Sequence, residues 1–374
     1  MLIGVPKEIK VREYRVGLVP ASVKELVAHG HTVIIESGAG NGIGADDHEY
    51  RSAGASIINS AQEIFERAQL IIKVKEPQAL ERKWLRAGQI LFTYLHLAPD
   101  PEQTHDLIKS GATCIAYETV TSDAGTLPLL APMSEVAGRL AVQAGAHFLE
   151  KAHGGRGILL GGVIGVETAR VTVIGGGVVG TNAIDVALGM GATVTVLDRN
   201  IHTLRNLHQQ FGHRLNTAYS TSEAIEHHCS NADLVIGAAL VTGAAAPKLI
   251  TRDIVRRMKQ GSVIVDVAID QGGCCETSHP TTHDTPTYVV DGVIHYCVAN
   301  MPGSVPRTSA YALNNATLPY VMALANKGLQ AMQDNKHLLN GLNVHQGKVT
   351  NEAVANALGF AFHDPATTLK QASN

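Results

Sequence analysis

The sequence predicts an α/β protein made of two Rossmann-like domains with parallel sheets. Three observations predict it. Short apolar runs alternate with amphipathic stretches over residues 1–120 and again over 170–300, the pattern of parallel strands covered by helices on both faces. A glycine-rich turn, Gly175-Gly176-Gly177-Val178-Val179-Gly180, lies between an apolar run and a helical stretch. A chain of 374 residues that is 45% hydrophobic is long enough for two full cores.

In the first half, Thr32-Val-Ile-Ile-Glu36, Leu70–Val74, Ile90–Leu95 and Ala112–Tyr117 read as strands. Helices are predicted between them near Ala21–His29, Ala61–Ala68 and Pro101–Ser110. Residues 132–152, rich in alanine with Val136, Leu140 and Phe148, read as a long connecting helix. The glycines at 154–157 and 161–162 then predict a turn or hairpin, and Val163-Ile-Gly-Val166 reads as ordinary apolar packing. The second half predicts strands at 171–174, 193–197, 233–236, 262–267 and 288–290, with helices at 178–189, 200–211 and 252–259. A helix is expected from Ser309 to about Asn326, bent at Pro319. The last ~50 residues read as helices. The opening run Leu2-Ile-Gly-Val-Pro6 reads as a strand.

Composition narrows the function. The net charge is −3, charged residues are 17% and no long basic run occurs, which argues against a nucleic-acid partner. No apolar run approaches the ~18–20 residues that span a bilayer, and no leader pattern is evident at Met1. The five cysteines lack a framework spacing, so reduced thiols and a cytoplasmic location are expected.

The glycine turn carries the first chemical signal. Gly175, Gly177 and Gly180 give the spacing G-x-G-x-x-G, preceded by Val171–Ile174 and followed by a helix, a second strand and Asp198. The first glycine suits a tight turn, the second a close approach of backbone to phosphate, and the third close helix–strand packing. Pyrophosphate would lie over the helix N-terminus and ribose hydroxyls on the carboxylate. Asp198 favours NAD over NADP, because it accepts from a 2′-hydroxyl and repels a 2′-phosphate. Arg199 beside it reads as a solvated arginine.

Ligands in open α/β sheets sit beyond the carboxyl ends of strands. Lys75, His96 and Asp270 fall at such ends, and Arg15 lies on the turn after the first strand. Arginine binds carboxylates through its fork, lysine polarises carbonyls, and histidine shuttles protons near neutrality. Together they suit a 2-oxo or 2-amino acid. His279 and His283 have i, i+4 spacing, but Pro280 argues against helix geometry, and no metal site is expected. Cys274-Cys275 lacks the redox spacing C-x-x-C and reads as a tight loop.

The chain resembles the alanine dehydrogenase family over essentially its whole length. The resemblance runs through Ile3-Gly-Val-Pro-Lys-Glu8, Glu13-Tyr-Arg-Val-Gly-Leu-Val-Pro20, Lys73-Val-Lys-Glu-Pro77, Thr93-Tyr-Leu-His-Leu-Ala98, Pro132-Met-Ser-Glu-Val-Ala-Gly138, Asp266-Val-Ala-Ile-Asp-Gln-Gly-Gly273 and Tyr296-Cys-Val-Ala-Asn-Met-Pro-Gly-Ser-Val-Pro306. It implies reversible NAD-dependent deamination of L-alanine to pyruvate and ammonium. It implies that Arg15 holds the substrate carboxylate, Lys75 bonds the substrate carbonyl, His96 is the acid/base and Asp270 assists. Ser134, Val178, Val179, Asp198, Ser220, Ala239 and Leu240 would contact the cofactor. Val267, Ala268, Ile269 and Asp270, with Val298, Ala299, Asn300 and Met301, would border the nicotinamide.

Further expectations follow from the resemblance. The substrate domain would be discontinuous, residues 1–130 with 305–374, completed by C-terminal helices, and residues 131–304 would bind the dinucleotide. A homohexamer is implied. His279 stands where family members often carry arginine, and would hold a cofactor phosphate well only when protonated. Thr203 likewise replaces a common basic residue. The alternatives are a nucleotide-binding module of transhydrogenase type and a related amino-acid dehydrogenase of saccharopine-forming type.

Overall fold

The computed structural model describes residues 1–239 and 246–371. In chain order its strands are β1 (Leu2–Val5), β2 (Thr32–Glu36), β3 (Ser56–Ile58), β4 (Leu70–Ile72), β5 (Ile90–Thr93), β6 (Thr113–Ala116), β7 (Arg170–Ile174), β8 (Thr193–Asp198), β9 (Leu215–Tyr219), β10 (Leu234–Gly237), β11 (Val263–Asp266), β12 (Thr287–Val290), β13 (Val293–Tyr296), β14 (Leu342–His345) and β15 (Lys348–Val349). The chain divides into two compact units, Met1–Met133 with Val305–Asn374, and Ser134–Ser304.

The sheet of the discontinuous unit has the order β15-β14-β6-β5-β4-β1-β2-β3. Strands β1 to β6 pair in parallel. Its central strands are buried on both faces: every residue of β4, β5 and β6 is buried, as expected for strands covered on both sides. Strand order reverses between β1 and β4, the switch point where such sheets open a crevice.

The sheet of the Ser134–Ser304 unit has the order β12-β13-β11-β10-β7-β8-β9. All its pairs are parallel except β12 with β13. Its switch point lies between β7 and β10. The helix Val178–Gly189 follows β7 directly.

Short polar signals set the helix boundaries. Asp100 caps the helix Pro101–Ser110 by accepting from the Gln103 amide at 3.0 Å, and Gly111 ends it in the left-handed region at φ 68°. The long helix Pro306–Lys327 starts on a proline and runs through Pro319, three residues earlier than expected.

The C-terminal stretch departs from expectation. It is not all helical: β14 pairs antiparallel with β6 and β15 with β14, so a hairpin covers the sheet edge. All four residues of β14 are buried although two are polar. Asn343 donates to Thr119 Oγ1 at 2.8 Å, and His345 Nδ1 meets Thr113 Oγ1 at 2.9 Å. Those partners make the burial tolerable and hide the strand from an apolar-run reading. Strands β3, β9 and β13 were likewise not expected.

Val163–Val166 also departs from expectation. It forms a bridged hairpin tip, Val163 with Val166, turned by Gly162 and Gly165 at φ 57° and 82°. Ile164 at the tip is fully exposed, so the segment is not core packing.

Candidate active site

In the discontinuous unit, parallel β1, β4, β5 and β6 deliver Arg15, Lys75, His96 and Glu118 to the carboxyl side of one sheet. Arg15 is buried, and its fork is held by Glu13: Nε donates to Oε1 and Nη2 to Oε2, both at 2.6 Å. Nη1 faces the Met133 sulfur at 3.0 Å, a weak acceptor. Burial alone would lower the Arg15 pKa, but the bonds and charge of Glu13 reverse this and raise it. The loop has no slack against β4, because a Cβ on Gly17 would lie 2.5 Å from the Ile72 carbonyl oxygen.

Lys75 is half-buried and its backbone is pinned on both sides. Its carbonyl accepts from Thr93 Oγ1 at 2.9 Å, and Glu8 Oε1 accepts the Val74 amide at 2.7 Å and the Lys75 amide at 3.4 Å. Beneath it, the fully buried Lys73 donates to Glu8 Oε2 at 3.1 Å and Glu81 Oε1 at 2.8 Å. Burial, and next the charge of Arg15, push the Lys75 pKa below the ordinary lysine value. Lys75 and Arg15 therefore share one electrostatic environment.

His96 follows β5 with φ at 49°, an uncommon conformation for a non-glycine residue and one often found at functional sites. Glu118 holds it there. Glu118 accepts the His96 amide at 2.6 Å and the Leu95 amide at 3.2 Å, and its Oε1 lies 3.8 Å from His96 Nδ1. The ring lies parallel to Tyr94, 5.8 Å between centroids, and Tyr94 is fixed by donating to the Leu129 carbonyl at 2.6 Å. The His96 ring remains exposed to solvent.

In the second unit, the glycines after β7 behave differently from one another. Gly175 has φ 100°, and a Cβ on it would lie 2.7 Å from the Ala238 carbonyl oxygen. A Cβ on Gly180 would lie 1.9 Å from the Gly175 carbonyl oxygen, whereas one on Gly177 would meet nothing within 4 Å. No side chain caps the helix that starts at Val178. Val178 is exposed and Val179 buried. Asp198 ends β8 and accepts the Gly176 amide at 2.7 Å and the Asn200 amide at 2.7 Å. It therefore braces the glycine turn, and a carboxylate has further lone pairs for a ribose. The buried Ser220 donates its amide to the Asp198 carbonyl at 3.1 Å.

Other predicted contacts follow strand ends on the same edge. Ala239 comes after β10, while Leu240 lies outside the described residues. Val267, Ala268, Ile269 and Asp270 form a 3-10 turn after β11, with Ala268 and Ile269 buried and Asp270 exposed. The buried Asp266 accepts the Cys274 and Cys275 amides at 3.2 and 3.1 Å, folding the following loop back on the strand. Val298, Ala299, Asn300 and Met301 follow β13. Val298 and Met301 are buried, and Asn300 has φ 58°. Ser134 is half-buried in the helix Ala131–Phe148. It lies one turn before Gly138, whose Cβ would sit 2.2 Å from the Val179 carbonyl oxygen.

The two histidines of the loop make separate contacts. His279 donates its amide to Tyr288 Oη at 2.8 Å and stacks on that ring at 3.7 Å, while His283 Nδ1 meets Ser304 Oγ at 2.8 Å. All five cysteines are free and buried. A cavity of about 650 Å³ lined by Arg170, Thr193, Asn216 and His228 lies at the opposite, amino edge of the second sheet and includes none of the predicted site residues.

Two family models cover most of the chain: "Alanine dehydrogenase/PNT, N-terminal domain" matches residues 4–137, and "Alanine dehydrogenase/PNT, C-terminal domain" matches residues 141–352. The chain belongs to the alanine dehydrogenase/PNT family. It is 60% identical over 370 residues to the alanine dehydrogenase of Halomonas elongata, covering 99% of this chain and 100% of that one. It is 54% identical over 376 residues to that of Bacillus subtilis, covering 100% and 99%. A solved L-alanine dehydrogenase superposes with a TM-score of 0.94 at 53% identity, covering 96% of this chain and 99% of that one. A transhydrogenase from Sinorhizobium meliloti superposes with a TM-score of 0.83 at 26% identity, covering 94% and 100%.

Within this alanine dehydrogenase/PNT chain, four carboxylates escaped the sequence reading: Glu8, Glu13, Glu81 and Glu118. Glu13 could have been found, since it lies two residues from Arg15. Glu8 and Glu118 reach their partners from the turns after β1 and β6, where spacing gives no signal, and Glu81 reaches back to Lys73 from the helix Ala79–Arg82. Among the described residues no helix is long and apolar enough to cross a membrane.

Proposed function

We propose that this chain catalyses the NAD-dependent oxidative deamination of L-alanine to pyruvate and ammonium, and the reverse reaction. The observation that carries this reading is the full-length similarity, at 54–60% identity, to proteins named alanine dehydrogenase. The strand-end set Arg15, Lys75 and His96 supports it chemically, and the glycine turn supports a dinucleotide.

The turn fits that cofactor. The space beside Gly177 leaves room for phosphate, and the uncapped helix start offers backbone N–H groups and a positive dipole end. Asp198 would receive the ribose, and Ser134, Ser220 and Ala239 would line the nucleotide. Val267–Asp270 and Val298–Met301 would border the nicotinamide, with His279 near a phosphate. Bound NAD supplies the acceptor for the hydride from the alanine Cα.

The protein's own groups do the rest. Arg15, oriented by Glu13, takes the substrate carboxylate on Nη1, where a charge-assisted bond replaces the weak thioether contact. His96 takes a proton from the water that adds to the iminium carbon, and returns one as ammonia leaves. The Glu118 carboxylate near Nδ1 favours the imidazolium formed in between. The Lys75 ammonium stabilises the oxyanion that develops at the pyruvate carbonyl. Asp270 assists at the substrate.

Two outcomes test the parts. Gly177→Ala should leave Tm unchanged but weaken NAD binding by roughly tenfold or more, because its Cβ fills the phosphate approach. Gly180→Ala should itself lower stability, by about 1–3 kcal/mol. Thermal melts with NAD titrations separate the two, and equal effects in both variants contradict these roles.

Lys75 sets a pH dependence. Its charged form is the active one for pyruvate, so kcat/KM for pyruvate should fall as pH rises. Because burial and Arg15 lower its pKa, the fall should come below the ordinary lysine value of ~10.4. Lys75→Arg should shift that limb upward, whereas an unmoved limb assigns it elsewhere.

Nicotinamide absorbance, followed with NAD and a panel of small L-amino acids, tests the whole reading. L-alanine should give the largest kcat/KM. Tight NAD binding with no amino-acid turnover would instead indicate a nucleotide-binding module.

A further inference from the structure

His147, Glu150 and His153 come together on the Ser134–Ser304 unit, where the helix Ala131–Phe148 ends and a 3-10 turn, Lys151–His153, follows. His147 Nδ1 lies 3.8 Å from Glu150 Oε1, and His153 Nε2 lies 3.7 Å from Glu150 Oε2. The two imidazoles face each other with centroids 3.9 Å apart. One ligand atom from each residue falls within 4.8 Å of the others.

We propose that these three side chains form a surface site for a borderline divalent transition metal ion of the Zn²⁺ class. Two neutral imidazoles and one carboxylate make a donor set suited to such ions. A tetrahedral ion with bonds of ~2.0–2.1 Å needs its donors ~3.3–3.4 Å apart. The two His–Glu separations are wider by only about 0.4 Å and the three donor atoms lie within 4.8 Å of one another, gaps that rotation of exposed side chains can close. The fourth position faces solvent.

The backbone builds this cluster rather than leaving it to chance. Leu149 is fully buried and anchors the turn. The Glu150 amide donates to the His147 carbonyl at 3.2 Å, the His153 amide to the Glu150 carbonyl at 3.1 Å, and the Gly155 amide to the Glu150 carbonyl at 3.1 Å. Gly154 ends the turn at φ 86°, and a Cβ on Gly155 would lie 2.3 Å from the Leu149 carbonyl carbon. Among the described residues, neither imidazole hydrogen-bonds to anything outside the cluster. The phenyl ring of Phe148 packs edge-on against both imidazoles, 5.1 and 5.8 Å between centroids. The helix C-terminus adds partial negative charge that favours a cation.

Calorimetric titration of the purified full-length protein with ZnCl₂ tests the site. The expected result is one Zn²⁺ per chain, with affinity reduced at least about tenfold in His147→Ala and again in His153→Ala, and reduced in Glu150→Gln. His227→Ala, a histidine elsewhere on the same unit, should bind as the unaltered protein does. Cobalt titration should give visible d–d absorption without thiolate charge transfer, which separates this site from the buried cysteines. His147 and Glu150 are at least half exposed, His153 is 34% exposed and His227 is exposed, so circular dichroism should be unchanged. Absence of Zn²⁺ binding, or equal affinity in the unaltered protein and both histidine variants, overturns the proposal.

Discussion

His96→Ala is expected to cut turnover about 10²–10⁴-fold, the usual worth of a positioned general acid–base group, while the Kd for NAD stays within a few-fold. The expectation rests on geometry. His96 sits in the left-handed region, and one carboxylate, Glu118, holds two successive amides there while standing 3.8 Å from the ring nitrogen. Backbone held in that conformation presents the ring to solvent at the carboxyl edge of β5 instead of burying it. Steady-state kinetics and a dinucleotide titration check the two halves of the prediction. Near-wild-type turnover would remove His96 from the mechanism. Glu118→Gln should give a milder loss of kcat with little change in KM, since it weakens the partner of the imidazolium without removing the imidazole.

Lys73→Ala should destabilise the protein by about 3–5 kcal/mol, because it strands two buried carboxylates that now share one ammonium. Burial works to lower the Lys73 pKa, but the charges of Glu8 and Glu81 outweigh it and raise it. The sign follows from that direction. A folded-state pKa above the unfolded value means that the contribution is complete below pH ~10 and fades as pH rises through the folded value. The loss in Lys73→Ala should therefore be full-sized at pH 7. Replacing Lys73, Glu8 and Glu81 together by Met, Gln and Gln should restore much of the stability, since no buried charge is then left unpaired. Denaturant unfolding of both variants measures this, and a loss below 1 kcal/mol in Lys73→Ala would contradict it. Because Glu8 also holds the Val74 and Lys75 amides, Glu8→Ala should harm activity through Lys75 as well as stability.

Much of this architecture was legible in the residues. Alternating apolar runs located most strands, and the helix Val178–Gly189 matches its expected span. The glycine spacing identified the turn whose three glycines turn out to face a carbonyl, open space and a second carbonyl. Lys75, His96 and Asp270 stand out in the sequence as polar residues ending apolar runs, and in the structure they follow β4, β5 and β11. What failed has physical reasons. Strand β14 is short and half polar, and its Asn343 and His345 Nδ1 are bonded to Thr119 and Thr113, more than two hundred residues earlier. Val163–Val166 looked like packing because apolar letters carry no information on exposure, although Gly162 and Gly165 were the signal of a hairpin. Glu8 and Glu118 act through contacts between neighbouring strand ends, Glu81 reaches back to Lys73 from the helix Ala79–Arg82, and no local pattern specifies them. Asp198 reads from sequence as a ribose acceptor, and what the structure shows is its bracing of the turn through the Gly176 and Asn200 amides.

The most direct measurement uses L-alanine deuterated at Cα with NAD and the full-length protein, followed by mass spectrometry of both products. The account predicts that pyruvate forms and that the reduced dinucleotide gains the deuterium, one atom for each pyruvate. Reduced dinucleotide without the label, or binding of both ligands with no pyruvate formed, would contradict it.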